Sequence, residues 1–186
     1  MERGKIFVIS APSGAGKSSL CNYLLKEIKD LCFSVSYTTR EPRKGEIDGK
    51  DYLFTDKKTF ESWIKEDKFA EYALVYGNYY GTSKDYLYKS IQAGKNILLE
   101  IDIQGAKAIK KKFNPAVLIF INPPSIEELG KRLEKRGTDS KEIIKKRLVA
   151  AETEIKASEI FDHIIVNDDF KKASNELKNL IEKEIS

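Results

Sequence analysis

The sequence is poor in the residues on which disulfide frameworks, metal clusters and histidine-based catalysis depend. It has 186 residues, with two cysteines, Cys21 and Cys32, and one histidine, His163. Two cysteines are too few for a disulfide framework and have no partners at metal-ligand spacing, which favours a reducing compartment, the cytoplasm. We interpret His163, in the stretch HIIVND, as a strand-edge residue. A histidine-based catalytic triad is therefore not expected.

Long apolar runs are also missing. No window approaches the roughly 18 apolar residues that a membrane-spanning helix needs, so neither membrane insertion nor export is expected. The formal net charge is +4, which suits anionic ligands but falls short of what nucleic-acid-binding proteins carry. The composition therefore predicts no membrane or nucleic-acid partner, and it implies no obligatory protein partner.

Short apolar runs alternate with helical patterns along much of the chain. The runs KIFVIS, NILLEID, AVLIFI and HIIVN are rich in Ile, Val and Leu, as are strands buried on both faces of a parallel sheet. Between them, KSSLCNYLLKEIK spaces Leu20, Leu24 and Ile28 along one helix face, and SIEELGKRLEKR opens with Ser125 and Glu128 in capping-box spacing. This alternation predicts an α/β fold with a parallel sheet flanked by helices.

Two segments depart from the alternation. Residues 38–95 contain the short aromatic and polar stretches KDYLF, FAEYALVY and GNYYGT, separated by turn residues, which predicts a mixed α/β insertion that closes over a ligand. The insertion would divide the core into residues 1–37 and 96–186. Within the second part, KRGTDSKE interrupts two helical patterns, so residues 126–157 are expected to form a short helical lid.

The stretch FVISAPSGAGKSSL has the order of a phosphate-binding loop: an apolar strand, a Gly-rich turn and an amphipathic helix. Ala11 stands where a strict pattern has glycine, but at the strand exit it costs only a methyl group if its φ is negative. Lys17 would reach the β- and γ-phosphates, and the Ser18 hydroxyl would bind Mg²⁺. The core is therefore expected to be of the P-loop NTPase type. The residues expected to hold ATP here are Ala11, Pro12, Ser13, Gly14, Ala15, Gly16, Lys17, Ser18 and Ser19.

A second set of anion-binding candidates follows the second predicted strand. SVSYTTREPRKGEIDGKDY places Arg40 and Arg43 in a turn-rich segment. They would face the same crevice as the loop, because ligands gather at the carboxyl ends of parallel strands. Guanidinium groups suit phosphate oxygens, and Tyr52 and Tyr80 could add hydroxyl donors. Taken singly, each arginine could equally be an ordinary surface residue, and each tyrosine an ordinary core residue.

Together these blocks carry a resemblance. FSVSYTTREPRKGEIDGKDY, GNYYGTS, LEIDIQG, RLEKRGTDS and IVNDD follow APSGAGKSS in this order and closely resemble the guanylate kinases, the P-loop nucleoside monophosphate kinases that make GDP from GMP. The resemblance covers nearly the whole chain. It implies that residues 38–95 bind GMP and that the reaction belongs to purine nucleotide metabolism.

The resemblance also implies roles for individual residues of the GMP site. Glu71 and Asp102 would read guanine, whose N1–H and N2–H₂ groups donate to ionised carboxylates, whereas adenine presents an acceptor at N1. A wrong base would leave buried polar groups unpaired, which makes such a pairing selective. The residues implied for GMP are Ser36, Arg40, Arg43, Tyr52, Glu71, Tyr80, Thr82 and Asp102.

Two further roles are less determined by the sequence. Glu100 and Asp102 are two residues apart and are expected on the same face of one strand. The resemblance favours Asp102 on guanine and Glu100 near the water shell of Mg²⁺, but either could act indirectly. It also places Asn167 beside the adenine of ATP. The residues implied to share the charge of the transfer are Lys17, Arg40, Arg132, Arg136 and Arg147.

The implied reaction is Mg·ATP + GMP → ADP + GDP, with dGMP as a second acceptor, and needs no general base because the attacking phosphate is already an anion. Three alternatives remain open at this stage. The chain could be a noncatalytic module that grips phosphorylated peptides, although such a module has no need of Lys17 and Ser18. It could phosphorylate another monophosphate, or be a GTP-hydrolysing switch, although no Asn-Lys-x-Asp motif is present.

Overall fold

The computed structural model describes residues 3–75, 77–137 and 139–186 as seven α-helices, nine strands and one 3₁₀ turn. The strands are β1 (Ile6–Ser10), β2 (Leu31–Phe33), β3 (Tyr37–Thr38), β4 (Leu53–Phe54), β5 (Phe69–Val75), β6 (Asn78–Ser83), β7 (Asn96–Glu100), β8 (Ala116–Asn122) and β9 (His163–Val166). The helices are α1 (Lys17–Glu27), α2 (Lys57–Lys65), α3 (Lys84–Gln92), α4 (Ile103–Lys112), α5 (Ile126–Arg136), α6 (Lys141–Lys156) and α7 (Phe170–Ile185), and the 3₁₀ turn is Ala157–Ile160. Within these described ranges, no helix is long and apolar enough to cross a membrane.

The core is a five-stranded parallel sheet of order β2-β7-β1-β8-β9. Successive residues of β1 serve opposite faces. Phe7 and Ile9 pack in a cluster that includes residues of α1 and α7, whereas Ile6 and Val8 pack in a cluster that includes residues of α3 and α4. Every residue of β1 is buried. The prediction of parallel strands buried on both faces is confirmed for β1, β7 and most of β8, because helices cover both sides of the sheet there. It is wrong for the edge strand β9, where Ile164 and Val166 are exposed.

A second sheet of order β4-β3-β6-β5 is formed by residues 37–83, within and just before the segment predicted as the insertion. Its strands pair antiparallel except for β3 with β4. The sheet is held by aromatic packing: the Phe60 ring of α2 stacks on Phe69 at 4.3 Å and on Tyr79 at 5.1 Å between centroids. Strand β5 also packs on α4 of the core, which fixes the second sheet beside the phosphate loop. Residue 76 of the predicted insertion lies outside the described residues.

Helices α5 and α6 occupy the segment predicted as the lid and pack on each other through Leu129, Leu133 and Ile144. Ser125 accepts a hydrogen bond from the Glu128 N–H at 3.1 Å, as its capping-box spacing predicts. Helix α5 ends at Gly137, whose φ is 68°, a left-handed conformation that glycine adopts readily. Residue 138 of this segment lies outside the described part of the chain. The buried Ala15 belongs to the same apolar cluster, so the helical pair is seated directly on the loop.

Candidate active site

The turn between β1 and α1 has the backbone of a phosphate-binding loop. Gly14 and Gly16 both have φ of 94°, a conformation that glycine adopts readily and other residues rarely do. Among the described non-glycine residues, only Asp67 has a positive φ. Ala11 therefore sits in a conformation open to any residue, and the prediction that it costs no more than a methyl group is confirmed.

Helix α1 differs from the other helices at its N-terminus. The six helices α2 to α7 each begin at a Ser or Asp whose side chain accepts a backbone N–H of the first turn. Helix α1 instead begins at Gly16, with no side-chain cap and no acidic residue in its first turn. Its N–H donors and the positive end of its dipole are thus left to an anion.

Two side chains with oxygen atoms that could bind a cation, Ser18 and Glu100, lie at the first turn of α1. Ser18 Oγ donates to Glu100 Oε1 at 2.6 Å, and Lys17 Nζ lies 3.8 Å from the same oxygen. A hydroxyl and a carboxylate at one point are the hard oxygen ligands that Mg²⁺ takes together with nucleotide phosphates and water. The residues present therefore fit this ion. The described residues contain no group of three or more His, Cys, Asp or Glu placed to hold a metal. The assignment of Ser18 and Glu100 to a Mg²⁺ site stays a prediction.

Residues from distant parts of the chain hold the loop in place. Asn167 is buried, and its Nδ2 donates to the Ala15 carbonyl at 2.7 Å. Arg132 in turn donates to the Asn167 carbonyl at 2.9 Å and to the Asp168 carbonyl at 3.3 Å. The side-chain amide predicted to lie beside adenine is thus engaged with the loop itself. Its placement on the adenine of ATP stays a prediction.

The lid helices contribute the positive charge of the cleft. Arg147 of α6 donates to Ser13 Oγ at 2.8 Å and pairs with Asp139 at 3.1 Å. Arg132 and Arg136 of α5 line a cleft of about 990 Å³ together with the loop. The arginines that the sequence placed on a lid therefore lie around the phosphate loop, although Arg132 and Arg147 are engaged by protein groups.

A smaller cavity of about 170 Å³ adjoins the loop and is lined from both sheets. The second sheet and its connections supply Ser36, Tyr52, Glu71 and Tyr80, and the core supplies Lys17, Glu100 and Asp102. The structure thus brings together seven predicted residues from five separate blocks of sequence. Tyr52 and Tyr80 meet edge to face at 5.8 Å between ring centroids, and burial raises the pKa of the Tyr52 hydroxyl, which therefore stays a proton donor.

Glu71 is the most deeply buried carboxylate of this cavity, with 5% of its surface exposed. Thr82 Oγ1 donates to its Oε1 at 2.5 Å. Burial raises the pKa of Glu71 to about 7, with the Thr82 hydrogen bond acting in the opposite direction and the nearby Asp102 charge adding to the rise. The Thr82 hydroxyl, predicted to contact GMP, is directed at Glu71 in this structure, so we place it as a positioning group.

Asp102 does not lie on a strand, so the prediction that it shares a strand face with Glu100 is wrong. Strand β7 ends at Glu100, and Asp102 is the N-cap of α4, where Oδ1 accepts from the Gly105 N–H at 2.8 Å. The chain turns after β7 because this cap starts a new helix. The two carboxylates nevertheless line the same cavity, since the carboxyl end of the strand and the start of the helix meet there.

The comparisons with known proteins agree with this geometry. A family model described as guanylate kinase matches residues 3–184. The chain belongs to the guanylate kinase family. It is 50% identical over 178 residues to the guanylate kinase of Geobacter sulfurreducens, covering 96% of this chain and 88% of that protein. It is 47% identical over 184 residues to that of Carboxydothermus hydrogenoformans, covering 99% and 90%.

A solved structure extends the likeness to three dimensions. The crystal structure of guanylate kinase from Anaplasma phagocytophilum matches with a TM-score of 0.81 and 35% identity, over 98% of this chain and 87% of that chain. The predicted α/β fold with a P-loop-type core is thereby confirmed. The resemblance drawn from the sequence blocks is confirmed as well.

Within this guanylate kinase fold, Arg40 and Arg43 lie in different surroundings. Arg40 pairs with Glu46 at 2.7 Å and lies 5.3 Å from the centre of the Tyr52 ring. The Glu46 hydrogen bond raises its pKa, with Tyr80 acting in the same direction. Arg43 is exposed, and its backbone N–H donates to Glu46 at 2.7 Å. Arg40 is thus held against the two tyrosines, while the Arg43 side chain extends from the rim.

Two acidic residues near the site were missed from the sequence. Glu46 holds the segment that carries both arginines, and Glu154 of α6 lines the 990 Å³ cleft together with the loop. Burial raises the pKa of Glu154, with Lys17 acting in the opposite direction. Glu46 acts within its own turn-rich segment, which carries several charged residues and no spacing that singles it out. Glu154 is brought to the cleft only by the fold.

Proposed function

We propose that this chain binds GMP in the 170 Å³ cavity and Mg·ATP on the phosphate loop, and transfers the γ-phosphoryl group from ATP to GMP or dGMP. Membership of the guanylate kinase family makes it an ATP:GMP phosphotransferase. Residues 38–95 would serve as the GMP-binding part and residues 126–157 as the lid. Cys21 and Cys32 are free thiols, which suits the reducing cytoplasm in which we place this reaction.

The observation that carries the assignment is the meeting of Lys17, Glu71 and Asp102 in one cavity. Lys17 belongs to the loop that suits a triphosphate, and the two carboxylates suit the donors of guanine. A guanine nucleotide bound in their common cavity would lie directly beside the γ-phosphate position. This is the arrangement that transfer between two bound nucleotides requires.

The chain's own residues act by positioning and charge. Lys17 and the arginines of α5 and α6 surround the loop with positive charge, where charge shifts between the phosphates during transfer. Arg40, with Tyr52 and Tyr80, would hold the GMP phosphate. Ser18 and Glu100 would hold Mg²⁺, which neutralises phosphate charge when bound. Closure of residues 126–157 over the cleft would exclude water from the reacting groups.

The test is ADP formation from Mg·ATP with GMP, AMP, CMP, UMP or dTMP as acceptor. We expect GMP-dependent turnover that falls by roughly a hundredfold or more in Lys17→Ala, because a charge facing the transferred group is lost. Lys26→Ala is the matched control, since Lys26 is exposed on the same helix and should retain activity.

Three results would contradict the proposal or a part of it. If the wild type binds GMP in calorimetry but forms no ADP, the chain is a binding module. If another monophosphate is the better acceptor, Glu71 and Asp102 do not read guanine. Equal loss of activity in Lys17→Ala and Lys26→Ala would show that the loop lysine has no special part in transfer.

A further inference from the structure

Helix α4 approaches the buried carboxylate of Glu71 at a glycine. A Cβ built on Gly105 would lie 2.6 Å from Glu71 Oε2 and 3.1 Å from its Cδ, and 3.2 Å from the nearest methyl group of Ile101. Non-bonded carbon and oxygen atoms rest at roughly 3.5 Å, so any side chain at this position overlaps the carboxylate. Only glycine leaves room for Glu71 where it stands.

We propose that Gly105 is a specificity-determining residue of the guanine site, because the missing side chain allows the Glu71 carboxylate to lie against α4 beside Asp102. The proposal deepens the proposed function and rests on it, since it takes Glu71 as a guanine-binding residue. Gly105 itself touches no substrate, so its part is to position the group that does.

Glu71 is held in its present position by its surroundings. Its Oε1 is held by the Thr82 hydroxyl at 2.5 Å, and the residue is 5% exposed. A methyl group at position 105 would therefore push the carboxylate towards the cavity or turn it away from Thr82. In either case the two acceptor oxygens would leave the positions that they hold in this structure, and with them the geometry proposed for guanine.

Gly105 also supports the second carboxylate of the pair. Its N–H donates to Asp102 Oδ1 at 2.8 Å, which fixes that side chain at the start of α4. One residue thus positions both groups, through its N–H for Asp102 and through its lack of a side chain for Glu71. The contact also joins β5 of the second sheet to α4 of the core, so the guanine pocket is assembled across the two parts.

Substitution by alanine separates these two contributions. Alanine keeps the N–H that caps Asp102 and favours a helix more than glycine does. Its overlap is mainly with the end of a functional side chain rather than with the scaffold. Gly105→Ala is therefore expected to fold with a misplaced Glu71.

The experiment measures kcat and KM for GMP, AMP and ATP in Gly105→Ala. We expect KM for GMP to rise roughly ten- to a hundredfold, as the loss of charge-assisted hydrogen bonds predicts, while KM for ATP stays within about twofold. The ratio of kcat/KM for GMP over AMP should fall roughly tenfold or more, because the group that rejects adenine has moved. Gly130→Ala is the matched control, since a Cβ on this glycine of α5 would meet only Leu148 at an ordinary 3.6 Å.

A double substitution distinguishes positioning from general damage. Glu71→Asp withdraws the carboxylate from α4 by about one C–C bond, roughly 1.5 Å. It should be harmful in the wild type but less so, by roughly fivefold or more, in the Gly105→Ala background, because residues in direct contact do not act additively. If Gly105→Ala fails to fold, the double variant must recover folding, as judged by thermal unfolding.

The outcomes separate the two proposals. Unchanged KM for GMP and unchanged discrimination in Gly105→Ala would overturn the inference, as would additive effects in the double variant or an equal rise in both KM values. A double variant that does not fold when Gly105→Ala also does not fold would overturn it too. If Glu71→Asp in the wild type leaves KM for GMP unaltered, the guanine-reading role of Glu71 fails, whatever the result at position 105.

Discussion

Replacing Glu71 by glutamine should make the protein more stable at neutral and alkaline pH while impairing its use of GMP. Burial raises the pKa of this carboxyl from an ordinary 4.5 to about 7. The folded state therefore keeps a proton that the unfolded chain releases near pH 4.5. The stability that this proton provides is fully present below pH 4.5 and is lost as the pH rises through 7.

The size of the effect follows from the pKa difference. About 2.5 pH units at about 1.4 kcal/mol each give a loss on the order of 3 kcal/mol between pH 4.5 and pH 8. Glutamine is neutral throughout and does not suffer this loss. Above pH 7, Glu71→Gln should thus gain on the wild type by up to about 3 kcal/mol, or roughly 6–12 °C in Tm for a chain of this length.

The assay is thermal unfolding of both proteins at pH 5 and pH 8, together with KM for GMP at pH 8. The Tm difference should grow with pH, and KM for GMP should rise roughly ten- to a hundredfold, because an amide cannot accept both guanine donors. Glu176→Gln, at an exposed position of α7, controls for the change of charge. A Tm difference for Glu71→Gln that is the same at both pH values would refute the reasoning.

Two further predictions concern the neighbours of the site. Thr82→Val removes the hydroxyl that lowers the pKa of Glu71, so the pH below which KM for GMP rises should move upward in a pH profile of kcat/KM. Ala11→Gly should change KM for ATP by less than about threefold, because residue 11 does not need the freedom of glycine. Gly16→Ala should raise KM for ATP far more, since a Cβ at φ 94° would overlap Asn167 Nδ2. Equal effects on KM for ATP at positions 11 and 16 would contradict this account.

The phosphate loop could be predicted from the sequence because its geometry is local. Strand, turn and helix follow one another within residues 6–27, and each is determined by apolar pattern and glycine placement close by. Glycine permits the left-handed conformations of Gly14 and Gly16, and sterics disfavour a positive φ at Ala11. The parallel sheet of the core could also be predicted, because continuous apolar strands separated by helices have few other arrangements.

The guanine pocket could not be predicted in the same way. In β5, Glu71 alternates with Tyr72 and Leu74, whose large apolar side chains are the exposed ones. The apolar pattern of this strand therefore gives no sign that Glu71 is buried. Its burial depends on contact with Gly105, 34 positions away in the chain. The sequence wrongly predicts Asp102 on the strand, because two residues do not distinguish the end of a strand from the cap of the next helix. A contact between distant segments thus decides the burial of Glu71, whereas a local helix cap decides the position of Asp102.

The two carboxylates of the pocket are held at different energetic cost, and this difference bears on selectivity. The charge of Asp102 is supported by the Gly105 N–H and by the positive end of α4. The charge of Glu71 is disfavoured by burial, and the hydrogen bond from the Thr82 hydroxyl offsets only part of that cost. A bound guanine would supply the missing donors, so the cost of ionising Glu71 is offset only when the right base is present. Adenine supplies an acceptor instead and leaves that cost in full. On this proposal, the cost of ionising one buried carboxylate would become discrimination between the two purines, and Gly105 would hold that carboxylate in the position that guanine needs.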